Sequence, residues 1–158
     1  EDGCYLNTGL FSGAGGLVST PMDFMRFAEM LRNGGSLNNV RILSPKTIQY
    51  MTEIHSDSAL PGSDYGTILG VKNEGVGFGL GFMVVTDPVV AGVMSSRGEY
   101  SWAGAAGTIF WIDPEEDIVV VTMMQVMSES IRRRLRSDLL VLVNSAIVQS
   151  KENSQQRK

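Results

Sequence analysis

The chain has 158 residues, 43% of them hydrophobic and 19% charged, which is globular composition and enough length for one domain with a buried core. Its formal net charge of -4 argues against a nucleic-acid partner. The single cysteine, Cys4, excludes an internal disulfide and a Cys-rich metal site, and no apolar run reaches the roughly 18 residues needed to span a bilayer. The opening "EDGCYLNTGL" has neither the basic nor the apolar part of a targeting signal.

Residues 1–19 are glycine-rich and irregular. A helix is expected next: Ser19 or Thr20 can cap it, Pro21 suits its first position, and Asp23 stands where a capping-box acid belongs. Phe24, Phe27, Ala28 and Leu31 repeat at helical spacing, and Asn33-Gly34-Gly35 closes the helix. Ser44 followed by Pro45 predicts a second helix through "SPKTIQYMTE", and residues 55–75 read as a polar, glycine-rich loop. Three strands are expected, over 75–85, about 100–112 and about 117–125. Asp113 and Pro114 start the turn between the last two. Glu115, Glu116 and Asp117 read as its solvated tip, without the ligand spacing of a calcium loop.

From Ser128 to about Gln149 a long helix carries Ile131, Leu135, Leu139, Val143 and Ile147, a stripe suited to packing on a sheet. The basic run "IRRRLR" on that helix reads as a solvated face. The expected fold class is α+β, an antiparallel sheet packed by helices, over residues 1–150, with residues 151–158 as a polar tail. Three strands and a terminal helix look like part of a sheet rather than the whole of one.

Chemistry is sparse in the residue pattern. Ser12 lies among glycines without a G-x-S-x-G frame. His55, the only histidine, reads as a surface residue at a loop edge. One His, one Cys and scattered carboxylates give no metal-ligand spacing, and "GAGG" lacks the lysine of a phosphate loop, so no metal and no cofactor are expected. The remaining candidate is "WAGAAG", residues 102–107, where small residues interrupt an expected strand. Such residues let a substrate lie along the backbone, or let a neighbouring helix approach, and composition leaves both open.

"SGAGGLVSTPMDFMRFAEMLRNGG" followed by "GEYSWAGAAGTIFWIDPEEDIVVVTMMQ" resembles the β-lactamase-like serine hydrolases, and among them it is most similar to the family VIII esterases and to the class C β-lactamases and D-alanyl-D-alanine carboxypeptidases. The resemblance covers about residues 9–149 and implies that the chain is the carboxy-terminal part of the β-lactamase/transpeptidase-like fold. That family uses Ser-x-x-Lys, Tyr-x-Asn and a third motif on a strand. The third is matched here in its Trp-x-Gly form by Trp102, Ala103 and Gly104, which implies that these three bind substrate and that the Ala105 N–H is an oxyanion-hole donor. No serine has a lysine three residues on. Tyr5-Leu6-Asn7 matches the second motif as a string, but it stands close before "GGLVST", where the family places that motif well upstream.

The resemblance therefore implies an acyl-enzyme hydrolase of esters or amides whose nucleophile lies outside this chain. The expected partners are a small-molecule ester or amide and a missing amino-terminal segment, or a second copy pairing at an open sheet edge. The other reading is a non-catalytic scaffold or interaction module derived from the same fold.

Overall fold

The computed structural model describes residues 9, 13, 15–57, 65–148 and 150. Ser12, Tyr5–Asn7 and the tail 151–158 lie outside them. The first helix, α1 (Pro21–Arg32), starts as its cap chemistry dictates: the Thr20 hydroxyl accepts the Asp23 N–H at 3.1 Å and donates to the Asp23 carboxylate at 2.9 Å. Ala28, Met30 and Leu31 are buried and Phe24 meets Phe110 with ring centroids 5.1 Å apart, whereas Phe27 turns outward and is 43% exposed. Gly34 and Gly35 leave the helix at φ 64° and 91°. A hairpin absent from the expected elements follows, β1 (Ser36–Leu37) with β2 (Val40–Arg41), turned by Asn38 and Asn39 in the left-handed region. The second helix, α2 (Pro45–Thr52), is capped by Ser44, whose hydroxyl accepts the Thr47 N–H at 3.0 Å.

The region expected as one loop holds β3 (Ser56–Asp57), α3 (Tyr65–Leu69) and a 3-10 turn (Asn73–Gly75). Beyond it the chain builds β4 (Val76–Phe78), β5 (Met83–Val85), a short α4 (Pro88–Ala91), β6 (Tyr100–Ala103), β7 (Ile109–Asp113) and β8 (Ile118–Thr122). Strands β3 to β8 form one antiparallel meander in sequence order.

Two expected strands are thus hairpins. The stretch 75–85 folds back between β4 and β5, where Gly81 has φ 91° and the Gly79 N–H closes onto the Phe82 carbonyl at 2.8 Å. The stretch 100–112 folds back between β6 and β7, where Gly107 has φ 96°. In both, the glycines serve the turn rather than the strand.

The sheet is covered on both faces. Tyr100, Phe110 and Ile112 pack with Ala28, Met30 and Leu31 of α1 and Ile48 of α2. Ile109 and Trp111 face the other way, onto Leu140 of α5 (Glu129–Ser145). Leu69, Val76, Met83, Val85 and Ala91 form a further cluster beneath α3 and α4. The molecule is α+β, an antiparallel sheet packed by helices.

Helix α5 is rotated from the expected stripe: Arg136 and Leu140 are its buried residues, Leu139 and Val143 flank them, and Ile131 is half exposed. The basic run is therefore not wholly a solvated face. Arg134 is exposed, but Arg136 keeps only 2% of its surface. The β7–β8 turn is also less solvated than its acids suggest. Asp113 is buried and accepts the N–H groups of Glu115 at 2.9 Å and Glu116 at 3.1 Å, and Asp117 pairs with Arg32 of α1. Among the described residues no helix is long and apolar enough to cross a membrane.

Candidate active-site wall

Strand β6 is an inner strand for only half its length. Its partner β5 pairs with Tyr100 and Ser101, while β7 pairs with all four residues, including Trp102 opposite Phe110 and Ala103 opposite Ile109. From Trp102 onward the ladder continues on the β7 side alone. Side chains alternate across the strand, so Trp102 lies on the α1 face with Tyr100, and Ala103 on the α5 face with Ser101. The half-buried Trp102 indole meets Phe78 edge-on at 5.0 Å. Phe78 stacks on Tyr65 at 4.6 Å, and the Tyr65 hydroxyl lies 3.0 Å from the Ser56 Oγ. These neighbours fix the indole as an apolar wall.

Residues 104–107 turn the chain into β7. The Gly104 N–H donates to the Thr108 carbonyl at 2.7 Å and the Gly107 N–H to the Gly104 carbonyl at 3.0 Å. A Cβ on Gly104 would stand 2.3 Å from the Thr108 Oγ1, so a larger residue there requires the Thr108 side chain to move. Ala105 sits exposed at its tip. Its carbonyl accepts from Arg132 of α5, and its N–H has no acceptor among the described residues. Trp102, Ala103, Gly104 and Ala105 are thus consecutive along an edge to which, among the described residues, no strand is hydrogen-bonded on the β5 side beyond Ser101.

Behind this edge is a cleft of about 280 Å³, lined by Ala103, Gly104 and Ala105 and by Arg132, Arg133 and Arg136 of α5. Each guanidinium has a partner: Arg132 the Ala105 carbonyl, Arg133 the Glu129 carboxylate, and Arg136 the Ser101 Oγ at 3.2 Å and the Glu99 carboxylate at 3.6 Å. Glu99 and Arg136 are 1% and 2% exposed. Burial pushes the Glu99 carboxyl up to about 7, opposed by the Arg136 charge and the Ser95 hydroxyl and reinforced by Asp113. Burial likewise lowers Arg136, opposed by Glu99. Both groups shift toward neutrality, so desolvation outweighs the attraction across 3.6 Å. Glu99 Oε2 and Arg136 Nε also lack hydrogen-bond partners among the described residues.

This buried pair is missing from the residue pattern as read. Its available signal was the position of Arg136, four residues before Leu140 and so in line with the face that packs on the sheet. His55 is placed at the end of α2, its Nε2 2.7 Å from the Tyr50 carbonyl and its ring edge-on to Tyr50 at 4.6 Å. Among the described residues no cluster of three His, Cys, Asp or Glu side chains could hold a metal ion.

The helix-covered antiparallel meander is the fold of β-lactamase-like proteins. The Beta-lactamase family model matches residues 2–144, and the chain belongs to that family. Protein Rv1367c of Mycobacterium tuberculosis is 36% identical over 118 residues, an alignment covering 72% of this chain and 29% of the relative. The chain therefore spans about 29% of the length of the curated relatives it matches.

Two solved structures share the fold. EstCE1, described as a hydrolase with promiscuous acyltransferase activity, superposes with a TM-score of 0.56 at 24% identity, covering 74% of this chain and 29% of that one. The LovD6 mutant of simvastatin synthase from Aspergillus terreus gives a TM-score of 0.65 at 18% identity, covering 92% and 39%.

Proposed function

We propose that the chain is the carboxy-terminal segment, residues 1–150 with a polar tail at 151–158, of a serine hydrolase that cleaves carboxylic esters or amides through an acyl-enzyme. In this reading a serine outside the chain attacks the substrate carbonyl carbon and gives its hydroxyl proton to the family's Lys and Tyr pair. The carbonyl electron pair moves onto oxygen, and the Ala105 N–H donates to that oxyanion. Collapse of the tetrahedral intermediate expels the alcohol or amine, which takes a proton from the family's Lys and Tyr pair, and water then releases the acid. Trp102, Ala103 and Gly104 form the wall against which the acyl group lies. The observation that carries the reading is the N–H of Ala105, without an acceptor among the described residues, at the tip of an edge that β5 leaves open.

Substrate class follows from charge. Trp102 stands where the Lys-Thr-Gly form of the third motif carries its lysine, and it offers an indole face and one N–H donor. The guanidinium groups nearby are engaged with acceptors of their own. An ester without a free carboxylate suits this wall better than a β-lactam. Trp102→Lys, in a protein that carries the nucleophile, is expected to raise β-lactam turnover relative to ester turnover; an unchanged ratio contradicts the assignment.

The oxyanion role is tested by Ala105→Pro, which removes the N–H and leaves the side chain small. The expected loss is roughly 100- to 1000-fold in kcat, as for removal of one oxyanion donor elsewhere. A proline variant with undiminished kcat contradicts the role.

A second reading, a non-catalytic interaction module, draws on β8. That strand ends the sheet, pairs only with β7, and leaves its outer edge open among the described residues. Such an edge recruits another strand. In the hydrolase reading the recruited strand belongs to the amino-terminal segment; in the module reading it belongs to a second copy.

A further inference from the structure

The loop that presents Ala105 is closed from inside by the Gly104–Thr108 and Gly107–Gly104 hydrogen bonds. Neither bond holds the two alanines at its tip against the rest of the molecule. They are held from outside, by one stretch of chain. The Val126 N–H donates to the Ala106 carbonyl at 2.7 Å, and Arg132 Nη1 donates to the Ala105 carbonyl. Arg132 stands in the first turn of α5, its own N–H bonded to the Ser128 carbonyl at 3.1 Å. Its stem crosses the bare face of Gly107, where an added Cβ would lie 3.5 Å from the Arg132 Cδ. Both tip carbonyls are therefore engaged, and the N–H of Ala105 has no acceptor among the described residues.

We propose that Arg132 is a positioning residue: it clamps the Ala105 carbonyl to the start of α5 and so fixes where the Ala105 N–H points. The proposal rests on the reading of Ala105 as an oxyanion donor. It assigns to α5 a part in the reaction although no α5 side chain need touch substrate. The guanidinium suits the task because its planar fork lies on a stem already seated against Gly107, whereas a lysine offers a point charge on a flexible chain.

The test uses backbone NMR on the 158-residue chain, which needs no nucleophile. In the unaltered chain the Ala105 N–H is expected to show an order parameter near 0.85, the value of rigid backbone, and Arg132→Met to lower it below about 0.6 and move the Ala105 carbonyl carbon resonance. Arg132→Lys should restore part of both. Arg134→Met, on the exposed side of α5, should change neither. An Ala105 order parameter and carbonyl resonance that stay unaltered in Arg132→Met overturn the proposal. If that variant fails to fold, the same two unaltered values in Arg132→Ala, which has no donor, overturn it.

Where the nucleophile is present, Arg132→Met should lower kcat roughly 10- to 100-fold with KM nearly constant, the pattern of a misplaced group rather than a lost contact. An unchanged kcat also overturns it. Failure of either Arg132 readout leaves the oxyanion reading to stand or fall on Ala105→Pro.

Discussion

Glu99 and Arg136 stand 3.6 Å apart in the interior between β6 and α5, and the pair makes stability depend on pH in an unusual direction. The Glu99 carboxyl titrates at about 7 in the folded chain against an ordinary 4.5. Between those values the folded state binds more protons than the unfolded state, so stability is fully present below about 4.5 and is lost as pH rises through 7. The gap corresponds to a loss of order 3 kcal/mol. Urea unfolding midpoints should fall from pH 5 to pH 8, and Glu99→Gln, which cannot ionise, should flatten that slope. A variant that keeps the slope assigns it to another group. Arg136 stays charged across this range, because a guanidinium is not deprotonated in proteins.

Turns and caps decide this fold at the level of elements. Gly75 ends the 3-10 turn under α4, and a Cβ there would lie 2.2 Å from the Ala91 backbone nitrogen. Gly81 has φ 91° but open space around it. Gly75→Ala must displace backbone and is expected to cost at least roughly 1–3 kcal/mol, whereas Gly81→Ala carries only left-handed strain of roughly 1–2 kcal/mol. Chemical denaturation of the two variants checks the order, and a Gly81 variant less stable than the Gly75 variant contradicts it.

The same contrast explains what was legible in the sequence. Thr20, Pro21, Ser44 and Pro45 act on their own helix ends, so both starts could be read directly. Glycine within an apolar run fits a weakened strand or a tight turn equally well, and only the tertiary contacts of Gly79 and Gly107 decide for the turn. Strands of two residues such as β3 leave no period to detect. Arg136 was hidden for another reason: its burial depends on Glu99, 37 positions away, which no local pattern joins to it. Trp102, Ala103 and Gly104 could be found because their motif is contiguous. Their place on an edge that β5 leaves open came only from the register.

As a whole the molecule is a helix-covered sheet of the Beta-lactamase family that spans about 29% of its curated relatives and ends in the open edge of β8. Leu17 and Val18, ahead of α1, are 97% and 83% exposed. In the proposed enzyme this chain supplies the wall of an acyl-enzyme site and another segment supplies the serine. That division is tested most directly by treating the chain with a serine-reactive fluorophosphonate, alone and together with a nucleophile-bearing amino-terminal segment. The chain alone should take no label, and the added segment should be labelled in the combined sample. Labelling of any serine within these 158 residues would contradict it.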